Sequence, residues 1–176
     1  MQINRTTKRE VMQRLMALVR KSIPGFENRV YFCVGNEQTP NVRDHEFIVV
    51  RAPGGQFDQN VMRGSGPPVA PYSAEVVIEI RRNNRQDRTG TDEISVVDDL
   101  GILDIQESII TGLAGSHLEL ESDRFGTAIL TEPLMPIMDS DIERDSNEVD
   151  GDSGSGTNSR LVLAMTFTVN FHWKLR

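Results

Sequence analysis

Cysteine is nearly missing from this chain. Cys33 is the only one in 176 residues, so an internal disulfide and a Cys-based zinc site are both excluded, and the usage fits synthesis in a reducing compartment. No apolar run reaches the ~18 residues that a membrane-spanning helix needs. The stretch from Met1 to Arg9 is polar and basic without an apolar h-region, so no secretory signal and no membrane role are expected. Histidine is also scarce. His45, His117 and His172 lack a Cys partner and an HExxH context, so no metal site is expected. Gly64-Ser65-Gly66 runs into Pro67-Pro68 instead of a helix, so it is no phosphate cradle. Ser153 and Ser155 lack a nucleophile elbow. With no dyad, triad or cofactor fingerprint, the expectation is a protein that is not an enzyme and carries no cofactor.

What is present is unevenly distributed charge. The net charge is −7, but residues 139–152 hold Asp139, Asp141, Glu143, Asp145, Glu148, Asp150 and Asp152 against Arg144, a balance of −6, which leaves −1 for the remainder. Residues 1–29 carry seven cations against Glu10 and Glu27, a balance of +5. Read as an EF-hand from Asp139, the acidic stretch puts Arg144 where Gly is needed and Asp150 where a bidentate Glu is needed, so calcium is not indicated. A second cationic cluster, Arg81, Arg82, Arg85 and Arg88, is a candidate contact patch for phosphates, but a solvated turn or a salt-bridging protein interface is the favoured reading. Little aromatic interleaving accompanies it, which argues against base stacking.

At this length one core suffices, and a single domain over 1–176 is expected. Thr7-Lys8-Arg9-Glu10 reads as a capping box, and Val11, Leu15, Leu18, Val19 and Ile23 then recur at helical spacing until Pro24-Gly25. This predicts a helix over about 7–22. Short strands follow at 29–34 and 46–51, the second apolar on both sides and so suited to a sheet interior. Residues 52–73 are rich in Gly and Pro and read as a long loop, followed by a strand at 74–81 with Val76, Ile78 and Ile80 inward, and a polar turn at 82–92. A second helix is expected over 98–115, striped by Leu100, Leu103, Ile109, Ile110 and Leu113 and stopped at Gly115. Residues 118–120 and 127–131 read as short strands, and 139–159 as an acidic, then Gly/Ser-rich insertion.

The carboxy-terminal segment is the most regular. Leu161, Leu163, Met165, Phe167, Val169, Phe171, Trp173 and Leu175 occupy every second position, the period of a strand with one buried face. The expected fold is α+β: a mostly antiparallel, mixed sheet covered on one face by two amphipathic helices, with long loops. On the other face of the last strand, Thr166, Thr168, Asn170 and His172 are polar yet uncharged, unlike an ordinary free surface. They are candidate subunit-interface residues, or residues whose strand edge is covered by a loop.

The helix that runs through Ile23-Pro24-Gly25-Phe26-Glu27-Asn28-Arg29-Val30-Tyr31 into a strand resembles the tail terminator proteins of tailed bacteriophages. So do Val76-Val77-Ile78-Glu79-Ile80, the second helix, and the closing Phe167-Thr168-Val169-Asn170-Phe171. The resemblance covers most of the chain as an order of elements. It implies a homo-oligomeric, hexameric ring in the virion tail or neck, assembled in the host cytoplasm. Such a ring caps the tail tube protein, ends its polymerisation and presents a surface to a neck or connector protein. DNA is then met only in passage through the lumen, where the acidic 139–152 loop would repel it, or that loop would meet a partner instead. The alternatives are another neck, head-completion or tail-tube protein, and a nucleic-acid-binding module using the basic first helix.

Overall fold

Period-two alternation at the end of the chain builds the centre of a sheet. The computed structural model describes residues 6–34, 46–52, 54–59, 68–85, 101–118, 128–141, 143–145 and 158–174. Expectations for His45, Arg88, Leu100, Leu120, Leu175, the Gly64-Ser65-Gly66 segment, Ser153, Ser155 and the acidic residues Glu148, Asp150 and Asp152 fall outside them. In chain order the elements are α1 (Lys8–Ser22), β1 (Val30–Val34), β2 (Glu46–Ala52), β3 (Gly55–Phe57), β4 (Val69–Arg85), α2 (Ile102–Leu113), β5 (Met135–Asp139), β6 (Glu143–Asp145) and β7 (Asn158–Lys174).

β4 and β7 are each 17 residues long and pair antiparallel without a slip, from Val69 opposite Lys174 to Arg85 opposite Asn158. The strand order is β1-β2-β4-β7-β5. β3 continues the β2 side of β4, and β6 continues the β5 side of β7. Among the described strands, β1 and β2 alone pair in parallel. The fold is α+β with a mixed sheet, as the alternating and helical periods require.

Both helices lie on one face. The inward set of β7, Leu161 through Phe171 on odd numbers, meets Tyr72, Ala74, Val76, Ile78 and Ile80 of β4 and Ile48 and Val50 of β2 in one core. Val11, Leu15 and Val19 of α1 and Ile105, Ile109 and Leu113 of α2 close it. Thr7 caps α1 reciprocally with Glu10: the Thr7 hydroxyl accepts from the Glu10 N–H at 3.3 Å, and the Glu10 carboxylate accepts from the Thr7 N–H at 3.0 Å. Gly115, at φ +80°, ends the turn after α2 in the left-handed region that glycine tolerates.

Several boundaries differ from the sequence expectation. The Gly/Pro loop is shorter than 52–73, because Gly55–Phe57 and Val69–Ser73 are strand. Pro71 disguised that continuation, since proline lacks an N–H for the ladder; its carbonyl still accepts from the Asp58 N–H at 2.9 Å. The expected turn begins in strand too: β4 runs through Arg82 to Arg85. The stripe of α2 is rotated. Ile102 and Ile105 are buried and Leu103 is 53% exposed, because burial is set by which face meets the sheet, not by residue size. Leu118 is a left-handed residue (φ 53°), not a strand, and within 128–131 the chain makes isolated bridges instead of a strand, Leu130 with Phe171 among them. Finally, 139–159 is not one solvated insertion: β6 lies inside it and pairs with residues 160–162 of β7, and β7 itself begins within it at Asn158.

Candidate functional site

The face of the sheet away from the helices divides into a charged half and an uncharged half. On β4 and β2, Glu79 stands between two guanidinium groups. Arg51 Nε lies 2.7 Å from Glu79 Oε1, and Arg81 Nη2 lies 2.7 Å from Glu79 Oε2. All three side chains are about nine-tenths buried. Arg81 and Arg82, adjacent in an extended strand, point to opposite faces. Arg82 is also buried, at the other face, in an ion pair with Glu46. The expected cationic patch is therefore not an exposed surface at Arg81 and Arg82; both are spent inside the sheet. Arg85 belongs to β4, and Arg88 lies outside the described residues.

The uncharged half belongs to β7. Thr166 is buried, while Thr168, Asn170 and His172 are half-buried. Segments of the same chain take the edge of β7 there. The Asn170 carbonyl accepts from the Thr131 N–H at 2.8 Å, and the Asn170 amide donates to Glu132 Oε2 at 2.6 Å. The His172 carbonyl accepts from the Thr6 N–H at 3.1 Å. Covering by a loop is thus met within the chain at Asn170 and His172. Thr166 and Thr168 are opposed by β5, with Met138 across from Thr166 and Met135 across from Thr168.

β5 itself carries what sequence reasoning missed. Met135, Ile137 and Met138 are 54%, 53% and 66% exposed. Among the described residues β5 pairs with β7 alone, so its outer edge presents apolar side chains at a strand terminus of the sheet, the arrangement most prone to association. The register shifts between Pro136 and Met138, which makes Ile137 the extra residue of a bulge and turns it outward. A signal existed in Met-Pro-Ile-Met, four residues apolar on both strand faces, but it was hidden next to the acidic run. Asp139 ends β5 and accepts weakly from Gln106 Nε2 of α2 at 3.4 Å. Asp141 and Glu143 follow and are exposed; Asp145 is in β6.

A groove opens at the opposite edge of the sheet. Its volume is about 540 Å³, and it lies between α1 and the β1–β2 edge, with Met12, Met16, Phe32 and Ala52 as its floor and Lys8 and Arg9 at its rim. Phe32 is 40% exposed. Beside it, an aromatic cluster of Phe57, Tyr72, Phe171 and Trp173 has ring centroids 4.8–5.8 Å apart, and the Lys8 ammonium lies over the Tyr72 ring. A second cleft, of about 630 Å³, lies between Arg14, Leu18 and Lys21 of α1 and residues 114–118. There His117 Nδ1 is 3.2 Å from the Leu130 carbonyl, a contact that holds the segment after α2.

Two carboxylates are held below their ordinary range. Glu10 is lowered first by the Thr6 hydroxyl and then by the Thr7 N–H. Glu27 is lowered by its own backbone N–H and that of Gly25. Both are local turn and cap chemistry rather than catalytic tuning. Among the described residues no cluster of three metal-ligating side chains occurs, and no helix is long and apolar enough to cross a membrane. No protein-family model matches the chain, and no curated protein matches it.

Proposed function

We propose that this is a structural virion protein of a phage tail, a terminator that closes as a ring on the end of the tail tube. Such a ring ends polymerisation and offers a joining surface to a neck or connector protein. The observation that carries the reading is the apolar outer edge of β5, Met135, Ile137 and Met138, on a sheet whose neighbouring positions Thr166 and Thr168 carry no charge. A large exposed apolar edge is a liability in a monomer and an asset in an assembly. Repeated head-to-tail contacts between identical subunits close into rings when the rotation allows. The resemblance of the element order to that of tail terminators adds support. Another neck or tube protein remains the alternative within the same class. A nucleic-acid module would have to rely on the basic first helix alone, because Arg81 and Arg82 are held in ion pairs within the sheet.

Light scattering with negative-stain imaging tests the proposal. Closed rings of one size, alone or on the ends of assembled tail tubes, are expected. Open-ended filaments indicate a tube protein, and a chain that stays monomeric both alone and with tubes overturns the reading. A surface variant sharpens the test. Thr168 lies across from Glu75, so Thr168→Asp would add like-charge repulsion within the sheet. Thr168→Arg avoids that, and should keep the Trp173 fluorescence of the native fold while abolishing rings.

A further inference from the structure

Resting on the self-association proposed above, we infer that β5 of one copy seats in the α1–β1 groove of the next. The two surfaces lie at opposite ends of one sheet, β5 at one end of the strand order and β1 at the other. A contact between them is therefore heterologous and propagates from subunit to subunit. Their chemistry matches. Met135, Ile137 and Met138 are exposed apolar knobs, and Met12, Met16 and Phe32 form an apolar receptacle of adaptable thioethers.

Their lengths match as well. Met135 to Met138 spans about 10 Å at the rise of a strand, and Arg9 to Met16 spans about 10 Å at the rise of a helix. Charge then fixes the direction. α1 carries five cations (Lys8, Arg9, Arg14, Arg20, Lys21) against Glu10, a balance of +4. Residues 139–145 carry four acids against Arg144, a balance of −3. With the methionines seated, Asp139 and Asp141 come alongside the rim at Arg9, whose side chain is exposed. Pro136, which lacks an N–H, weakens the alternative in which β5 is extended by simple backbone pairing.

Disulfide trapping between copies tests this directly. A mixture of the Met16→Cys and Met135→Cys full-length chains, oxidised mildly, should yield about tenfold more crosslinked dimer than either variant alone, because Asp139 at Arg9 leaves Met135 at the Met16 end of the groove. Equal yields, or crosslinking of Met135→Cys only with itself, would overturn the inference. Charge exchange gives the independent arm: Arg9→Glu should weaken self-association about tenfold, and adding Asp139→Lys should restore most of it. A double variant no better than the single overturns the contact. If rings form yet ignore every one of these changes, the inference falls and the ring reading stands. If the crosslink forms but the products are open-ended filaments, the contact stands and the terminator reading falls. If the chain never self-associates, the contact is overturned, and the terminator reading falls only if tubes recruit no ring either.

Discussion

Glu79 is where a single atom-scale change should be felt most widely. Its two oxygens are divided between Arg51 on β2 and Arg81 two residues along β4, and each of these side chains is only 11–12% exposed. Removing one partner of a fully buried pair costs about 3–5 kcal/mol, because the remaining charge stays desolvated. Here the groups keep some access to water, and both arginines have further interactions, so the expectation for Glu79→Ala is about 2–3 kcal/mol. At an m value of about 2 kcal/mol/M, that lowers the urea midpoint by about 1–1.5 M. For a chain of this size it lowers the thermal midpoint by roughly 4–12 °C. The assay is urea unfolding followed by the fluorescence of Trp173, the only tryptophan, which packs against Tyr72 and Phe171. In a double-mutant cycle with Arg81→Ala, a coupling above about 0.5 kcal/mol is expected. A loss below about 0.5 kcal/mol for Glu79→Ala, with no coupling, would refute the reasoning and mean that the pair is screened as if it were exposed.

Three further predictions concern how the helices are held. Thr7→Ala should cost about 1 kcal/mol by removing the cap of α1, read as a lowered urea midpoint at unchanged m. Because Glu10 is held below its ordinary value of 4.5 in the fold, its contribution is complete above that value and is lost as pH falls through the lowered one; the gap between wild type and Glu10→Gln should therefore be steady above that value and narrow as pH falls below it, and a gap independent of pH would count against the assignment. A Cβ on Gly112 would meet the Cβ of Ser22 at 2.6 Å as well as its hydroxyl, so Gly112→Ala should cost about 1–3 kcal/mol by pushing α1 and α2 apart, and Ser22→Gly should recover part of it.

The parts of the molecule visible in the sequence are those governed by local rules. The capping box at Thr7 and Glu10, the helical stripe of Val11, Leu15 and Val19, and the stop at Gly115 depend only on neighbours a few residues away. The alternation from Leu161 to Trp173 is equally local, since a strand sends successive side chains to opposite faces. Where local and distant demands disagree, the distant ones win. Leu103 has the size of a core residue, yet Ile102 and Ile105 face the sheet. Arg81 and Arg82 look like a surface cluster, yet both are buried in ion pairs, Arg81 with Glu79 two residues back along β4 and Arg82 with Glu46 on another strand. Pro71 looks like loop, yet sits inside the longest strand pair of the fold.

The candidate site shows the same division. Thr166, Thr168, Asn170 and His172 stood out in the sequence because an uncharged face is unusual along a strand. That Thr131 and Thr6 cover part of that strand's edge is decided only by chain segments about 40 and 166 residues away meeting it. The apolar knobs of β5 and the groove beside Phe32 also lie more than a hundred residues apart in sequence. The sequence by itself determined the buried face of the first helix, the long closing strand and the α+β class, because periodicity and capping act within a turn or a dipeptide. Only the tertiary structure decided which charges are buried in pairs and which apolar residues are left outside, because burial depends on what the rest of the chain places opposite a residue.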